Sequence, residues 1–266
     1  MFKLKNKNNE ILVNNFIKYN NDINLNNGLI KIVEHQKGNF IEVDSSRTDL
    51  KINFLYSHLW KAEEDKELAI QIIKKYNQID QNLVYVMIDE DQRLQENQFQ
   101  DLGLYFDVKY KAMVMDLEKA YLKEIKIPTG FTLKNVELED LEEFKKQIDD
   151  GFGSGVIDTT KYKALVELNK VKKICHLIVV YHNNQAVATG NIYFENNYGV
   201  VDDITVNSKM RGQGLASVVL NNLFLTAKKQ GIKKLLLVST KDGFPIYEKM
   251  GFERTGLNLM IYKIKK

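Results

Sequence analysis

The segment Asp202-Asp203-Ile204-Thr205-Val206-Asn207-Ser208-Lys209-Met210-Arg211-Gly212-Gln213-Gly214-Leu215-Ala216 reads as a strand, a tight turn and the start of a helix. Small residues at 212, 214 and 216 let the backbone approach a ligand closely. The first-turn N–H groups of such a helix have no partner inside it, and the helix dipole adds partial positive charge there. The segment therefore suits an anion such as a pyrophosphate, with Arg211 at the lip as a charged donor. Two phosphate loops do not fit. A Walker loop ends in Gly-Lys-Ser/Thr, where this chain has Gly214-Leu215-Ala216. A dinucleotide fingerprint counted from Gly212 needs Gly or Ala at Ser217, and an acidic residue near Gly231-Ile232-Lys233-Lys234.

Working outward, the helix opened at Gly214 runs to Gln230 and stops at Gly231, a good C-cap. Upstream, Phe131–Val136 alternates apolar and polar residues as a half-buried strand does. Glu137–Ile148 carries Leu138, Leu141, Phe144 and Ile148 at helical spacing. Gly151–Gly155 is read as a loop, Tyr162–Val171 as a second helix, and Ile174–His182, Gln185–Phe194 and Gly199–Val206 as three strands. Downstream come a buried strand Lys234–Ser239, a short helix Phe244–Met250 closed by Gly251, and a last strand Thr255–Ile264. The order is β-α-α-β-β-β-α-β-α-β, a mixed α/β layer fold.

A boundary is expected at Ile127-Pro128-Thr129-Gly130, which divides the chain into 1–127 and 128–266. Leu117–Lys126 before it is open to three readings: a strand end, a short helix or a linker. In the first half, Leu29–Val33 and Asn39–Val43 read as paired strands and Leu50–Leu55 as another apolar stretch. Glu63–Tyr76 is a helix, Leu83–Ile88 a strand and Tyr105–Leu117 an extended run. The strand–helix–strand order of residues 50–117 echoes that of 199–264, which points to an internal duplication.

Composition narrows the class. Net charge is +3 from 38 basic and 35 acidic residues, which argues neither for nucleic-acid nor for membrane affinity. The one cysteine, Cys175, leaves no internal disulfide and fits a reducing cytosol. No signal-peptide pattern or bilayer-length apolar run is present, so a cytoplasmic protein is expected. Few prolines and many Asn, Lys and Ile associate it with an AT-rich bacterial genome. His176 and His182 have no metal-ligand spacing with another His or Cys, so no metal is expected. Structural roles are favoured for both, as for Cys175 and Trp60.

Arg211-Gly212-Gln213-Gly214-Leu215-Ala216 resembles the R/Q-x-x-G-x-G/A acetyl-CoA signature of the GNAT (GCN5-related N-acetyltransferase) superfamily. Ser239-Thr240-Lys241-Asp242-Gly243-Phe244-Pro245-Ile246-Tyr247-Glu248-Lys249-Met250-Gly251-Phe252 resembles the later motif of that family, with its Tyr-Glu-Lys-x-Gly-Phe core. The resemblance covers roughly residues 130–266. It implies an acyl-CoA N-acyltransferase fold, a mixed, mostly antiparallel sheet with flanking helices. It also implies transfer of an acetyl group from acetyl-CoA to an amine, with a homodimer compatible with it.

Carried over residue by residue, Ile204 and Val206 would pair their backbones with the pantetheine arm where their strand splays from Leu235–Val238. The N–H groups of Arg211, Gln213, Gly214, Leu215 and Ala216 would hold the pyrophosphate beside Gly212, and Tyr247 would be the general acid. The base is open among Asp202, Asp203 and an ordered water; the two carboxylates are expected on opposite strand faces. Thr240 and Gly243 stand where many relatives have Asn and Ala; the pair is read as a subfamily variant, with Thr240 and Tyr247 expected among the cofactor contacts.

Bland readings stand beside these: a plain turn at 211–216, a core aromatic at Tyr247, and solvated or structural roles for Asp202 and Asp203. The Gly151–Gly155 loop is either a mobile surface loop or part of the acceptor site. The first half resembles the family's final strands in Asp101–Phe106 and Met113–Leu117 but lacks the glycine turn, having Ser57-His58-Leu59-Trp60-Lys61-Ala62. A tandem pair with a first copy that has lost the cofactor is expected. A non-catalytic acyl-CoA-binding module and a protein-binding adaptor are the rival functions.

Overall fold

The computed structural model describes residues 1–24, 30–35, 39–45, 52–79, 82–153 and 159–264. Leu29, Leu50 and Lys51 of the expected strands, and Ser154 and Gly155 of the expected loop, lie outside them. In order the elements are α1 (Lys7–Asn24), β1 (Lys31–His35), β2 (Phe40–Asp44), β3 (Ile52–His58), α2 (Glu63–Gln78), β4 (Asn82–Asp89), β5 (Leu104–Asp116), β6 (Phe131–Asn135), α3 (Leu141–Phe152), α4 (Thr159–Lys172), β7 (Cys175–His182), β8 (Gln185–Glu195), β9 (Tyr198–Val206), α5 (Leu215–Lys229), β10 (Lys234–Ser239), α6 (Phe244–Lys249) and β11 (Glu253–Ile264). From Phe131 onward this is the order read from the sequence.

The elements pack into two compact units that do not part at Pro128. Unit 1 holds residues 1–113, 238–245 and 254–266; unit 2 holds 114–237 and 246–253. In unit 1 the strands lie in the order β1-β2-β3-β4-β11-β5. β1, β2 and β3 form an antiparallel run, while β3 and β4 are parallel with α2 as the connection between them. β11 then pairs antiparallel with β4, from Asn258 opposite Asp89 to Lys263 opposite Val84. The strand expected to close the C-terminal half is thus an interior strand of unit 1. The unit 1 core gathers Ile72, Ile73 and Tyr76 of α2 with Tyr85, Met87, Phe99 and Tyr262.

Helix α1 was not anticipated. Its asparagines are weak helix formers, but Leu12, Val13, Phe16 and Ile17 recur four residues apart, and Leu12, Val13 and Ile17 are buried. That spacing is the signal that would have found it.

In unit 2 the strands run β10-β9-β8-β7-β6. β9 and β10 are parallel and the rest antiparallel. Helices cover both faces. Gly190 of β8 faces α5 so closely that a Cβ there would sit 2.5 Å from Val219 Cγ1. Its neighbours Thr189 and Asn191 point the other way, toward the side packed by α3 and α4. There a Cβ on Gly151 would lie 2.6 Å from Thr205 Cγ2. Gly151 and Phe152 are therefore the last turn of α3 rather than loop, and the expected helix at 137–148 starts as a 3-10 turn at Leu138–Asp140.

Leu117–Lys126 settles as a linker pinned within unit 2. Leu117 N–H donates to Lys233 O at 2.8 Å. Ile125 N–H donates to Asn221 Oδ1 at 2.9 Å, and Asn221 Nδ2 returns a bond to Lys123 O at 3.0 Å. These bonds explain a buried asparagine on α5.

Candidate active site

The site of interest is built at the end of β9. The parallel ladder between β9 and β10 runs from Tyr198↔Lys234 to Val200↔Leu236 and stops. β9 continues to Val206 with its β8 edge still paired, Ala188 opposite Val206. Its other backbone edge, along the half-buried Ile204 and Val206, is therefore outside the β10 ladder. Beyond the strand, Asn207 N–H donates to Val187 O at 2.8 Å, and Asn207 Oδ1 caps a 3-10 turn at Ser208–Met210 through Lys209 N at 3.1 Å.

The turn that follows is shaped by two glycines. Gly212 and Gly214 both have φ of 79°, a left-handed conformation that side chains disfavour. No atom lies within 4 Å of a Cβ built on either one, so the space before the turn is open. Gly214 is the N-cap of α5 and supplies no side-chain cap, and the first turn carries no acidic residue. The first internal bond of the helix runs from Val218 N–H to Gly214 O at 3.1 Å. The N–H groups of Leu215, Ala216 and Ser217 thus have no acceptor within the helix. Arg211, Gly212, Gln213 and Gly214 are exposed, while the Leu215 side chain is buried and anchors the turn. An uncapped helix end behind open space, beside a freed strand edge, fits a cofactor with a pyrophosphate and an amide-bearing arm.

Tyr247 lies on α6, 9% exposed. Gly251 at φ 99° ends the helix, and Phe252 folds back so that its N–H donates to Tyr247 O at 3.0 Å. Phe252 meets the Tyr247 ring edge-on at 6.0 Å and packs 5.7 Å from Phe224 of α5. The Tyr-x-x-x-Gly-Phe spacing is thus a helix stop that wedges the tyrosine in place. Burial pushes the Tyr247 hydroxyl above the ordinary tyrosine range, and the negative charge of Asp202 pushes it the same way.

The two carboxylates depart from expectation. Asp203 has φ of 54°, and the β8–β9 ladder passes from Asn191↔Asp202 to Thr189↔Thr205. Asp203 and Ile204 therefore share the single partner Gly190, a β-bulge that breaks the alternation on which the opposite-face expectation rested. Asp203 is buried and accepts from Tyr162 Oη at 2.8 Å and from Asn191 Nδ2. Asp202 is half-buried, accepts from Asp203 N–H at 2.9 Å and lies within electrostatic reach of Tyr247. Sequence reading missed Tyr162, Asn191 and Gly190; the signal available was a Gly-Asn pair inside an otherwise apolar strand.

The remaining expectations divide. Thr240 belongs to unit 1, where its hydroxyl accepts from Gly243 N–H at 3.1 Å and its carbonyl from Phe244 N–H at 3.1 Å. The Thr-with-Gly variant is a turn cap. Cys175 is buried, which pushes its thiol up to about 12. Burial also lowers the His176 pKa, and His182 lies 3.0 Å from Gly130 O. Trp60 packs on Phe99 and donates to Tyr85 Oη at 2.8 Å. Among the described residues no group of His, Cys, Asp and Glu is arranged to hold a metal, and no helix is long and apolar enough to cross a membrane.

Residues 136–260 match the family model described as an acetyltransferase (GNAT) domain. Over that segment the chain is similar to the GNAT acetyltransferases. The matched segment draws its last strand from unit 1. Over 115 residues the chain is 29% identical to glucosamine 6-phosphate N-acetyltransferase 1 of Dictyostelium discoideum, covering 39% of this chain and 73% of that protein. Other curated relatives are covered over less of their length, down to 37%. A GCN5-related N-acetyltransferase from Kribbella flavida shares the fold along 99% of this chain and 97% of its own, with a TM-score of 0.68 at 13% identity. A tandem GNAT protein from the clavulanic acid biosynthesis pathway matches 84% of this chain and 77% of its own, with a TM-score of 0.58 at 10% identity. The fold is thus that of the GNAT proteins, a tandem one among them.

Proposed function

We propose that this chain transfers the acetyl group of acetyl-CoA to the primary amine of a small molecule, by direct attack in a ternary complex. The observation that carries the reading is the uncapped, glycine-opened start of α5 beside the strand edge freed where the β9–β10 ladder stops. Bound acetyl-CoA would supply an activated thioester. The N–H groups of Arg211, Gln213, Gly214, Leu215 and Ala216 hold its pyrophosphate where Gly212 leaves room, and the backbones of Ile204 and Val206 bond its amides. Tyr247 is protonated at neutral pH, as tyrosine ordinarily is, and burial and Asp202 extend that to more alkaline pH. It gives that proton to the departing thiolate. Asp202, beside it, is the better placed carboxylate to receive a proton from the amine, since Asp203 is tied by two donors.

The name of the Dictyostelium relative puts amino sugar phosphates first among acceptors to try. The test is acetylation of glucosamine 6-phosphate and a panel of small amines, followed by thiol release. Tyr247→Phe is expected to lower kcat about 100- to 10,000-fold with CoA affinity unchanged. The alkaline limb governed by Tyr247 should lie above pH 10 or so, the ordinary tyrosine value. CoA binding without turnover on any amine would favour the regulatory module instead.

The same proposal assigns residues 1–127 and 128–266 as two copies of one unit, the first without cofactor. β3, α2 and β4 repeat the parallel strand–helix–strand of β9, α5 and β10. In the first copy, however, the ladder stays closed over the whole strand, from Ile52↔Asn82 to His58↔Ile88. The start of α2 is occupied by its own acid, Asp65 Oδ2 accepting from Lys61 N–H at 2.9 Å and Ala62 N–H at 3.3 Å. Glu63 and Glu64 add negative charge where a phosphate would have to sit. Titration calorimetry is expected to give one CoA per chain; two would overturn this assignment.

A further inference from the structure

The bulge in β9 is gripped from two elements at once. Tyr162 on α4 is fully buried, and its ring meets Phe144 of α3 edge-on at 5.0 Å. Its hydroxyl reaches the Asp203 carboxylate, as does the Asn191 amide from β8, and both donate to the same oxygen, Oδ2. Thr189 Oγ1 donates to the Asp203 carbonyl at 2.9 Å. Asp203 is thereby held in a left-handed conformation that aspartate visits only as a minority state. The β10 ladder has already stopped at Val200, and Ile204 follows the bulge on the edge outside it.

We propose that Tyr162 and Asn191 are positioning residues for cofactor binding. By fixing the Asp203 carboxylate they set the bulge, and the bulge sets the Ile204–Val206 backbone that receives the pantetheine arm. Neither residue touches the cofactor. The inference rests on the acetyl-CoA reading above and deepens it: it makes cofactor affinity depend on a hydroxyl on the helix after the α3–α4 connection. A hydrogen bond that only filled a buried polar position would affect folding and leave CoA affinity alone.

The experiment measures CoA affinity by titration calorimetry for the full chain, Tyr162→Phe, Asp203→Asn and the double variant, with the unfolding midpoint of each without ligand. Tyr162→Phe keeps the ring against Phe144, and asparagine at 203 tolerates a positive φ. Each single variant should bind CoA about 10-fold or more weakly, the scale of a lost hydrogen bond to a buried charge. The double variant should be no weaker than the worse single, because Tyr162 acts only through the Asp203 side chain. A lowered midpoint with unchanged CoA affinity in Tyr162→Phe overturns the inference, and so do additive losses. If Tyr162→Phe does not fold, Asn191→Ser cuts the second bond to the same oxygen and carries the same expectation. An unsubstituted chain that binds no CoA overturns the functional reading and this inference together; binding that survives Tyr162→Phe overturns the inference alone.

Discussion

Gly214→Glu abolishes CoA-dependent stabilisation while the protein stays folded: that is the expected result. At a concentration about 100 times its Kd, CoA should stabilise the unsubstituted chain by about 2.7 kcal/mol, a rise of roughly 5–10 °C in midpoint. No atom stands within 4 Å of a Cβ at Gly214, so glutamate meets no clash. The left-handed φ of 79° costs about 1–2 kcal/mol for a residue with a Cβ. The carboxylate, however, would stand before the unbonded N–H groups of α5. It would compete with the pyrophosphate for the same donors and repel it. Gly214→Asn, which tolerates this φ and carries no charge, should keep part of the shift. Equal shifts in all three proteins would mean that CoA binds elsewhere.

Ending the chain at Phe252 should unfold unit 1, although the lost residues belong in sequence to the GNAT segment. β11 is an interior strand there, paired to β4 and flanked on its other side by β5. Its removal takes away the buried side chains of Leu257, Leu259, Met260, Ile261, Tyr262 and Ile264. At about 1.5–3 kcal/mol each that is on the order of 10 kcal/mol, as large as the whole stability of a typical domain. Hydrogen exchange should show protection lost in β3 and β4. A milder form is Tyr262→Ala, which removes a fully buried ring 5.0 Å from Phe99 and a hydroxyl donating to Gln95 O at 3.0 Å. It should destabilise by about 3–5 kcal/mol in urea unfolding. Protection of β3 and β4 that survives truncation would show that unit 1 closes without β11.

Much of the C-terminal order was legible because each element carries a local mark. Gly231 and Gly251 stop their helices, and Gly212 and Gly214 open the turn. The placement of β11 was not. Its run from Leu257 to Tyr262 is buried throughout, which marks an interior strand but does not say of which sheet, since strand neighbours are set by pairing over long sequence distances. The bulge was hidden for another reason. Asp203 takes a conformation that glycine would have advertised, and it is held there by Tyr162, some forty residues earlier, a separation of 41. Gly151 misled the reading: a glycine that looked like the start of a loop is the contact that lets α3 lie against Thr205.

The strand exchange also has a meaning in time. Synthesis runs from the N-terminal side, so residues 1–113 emerge before residues 254–266, with the place of β11 unfilled. They wait while residues 114–237 are made, on the order of ten seconds at usual elongation rates. Through that interval the edge of β4 is bare backbone, the surface on which foreign strands add. The unit that is mostly synthesised first is thus the one that finishes folding last.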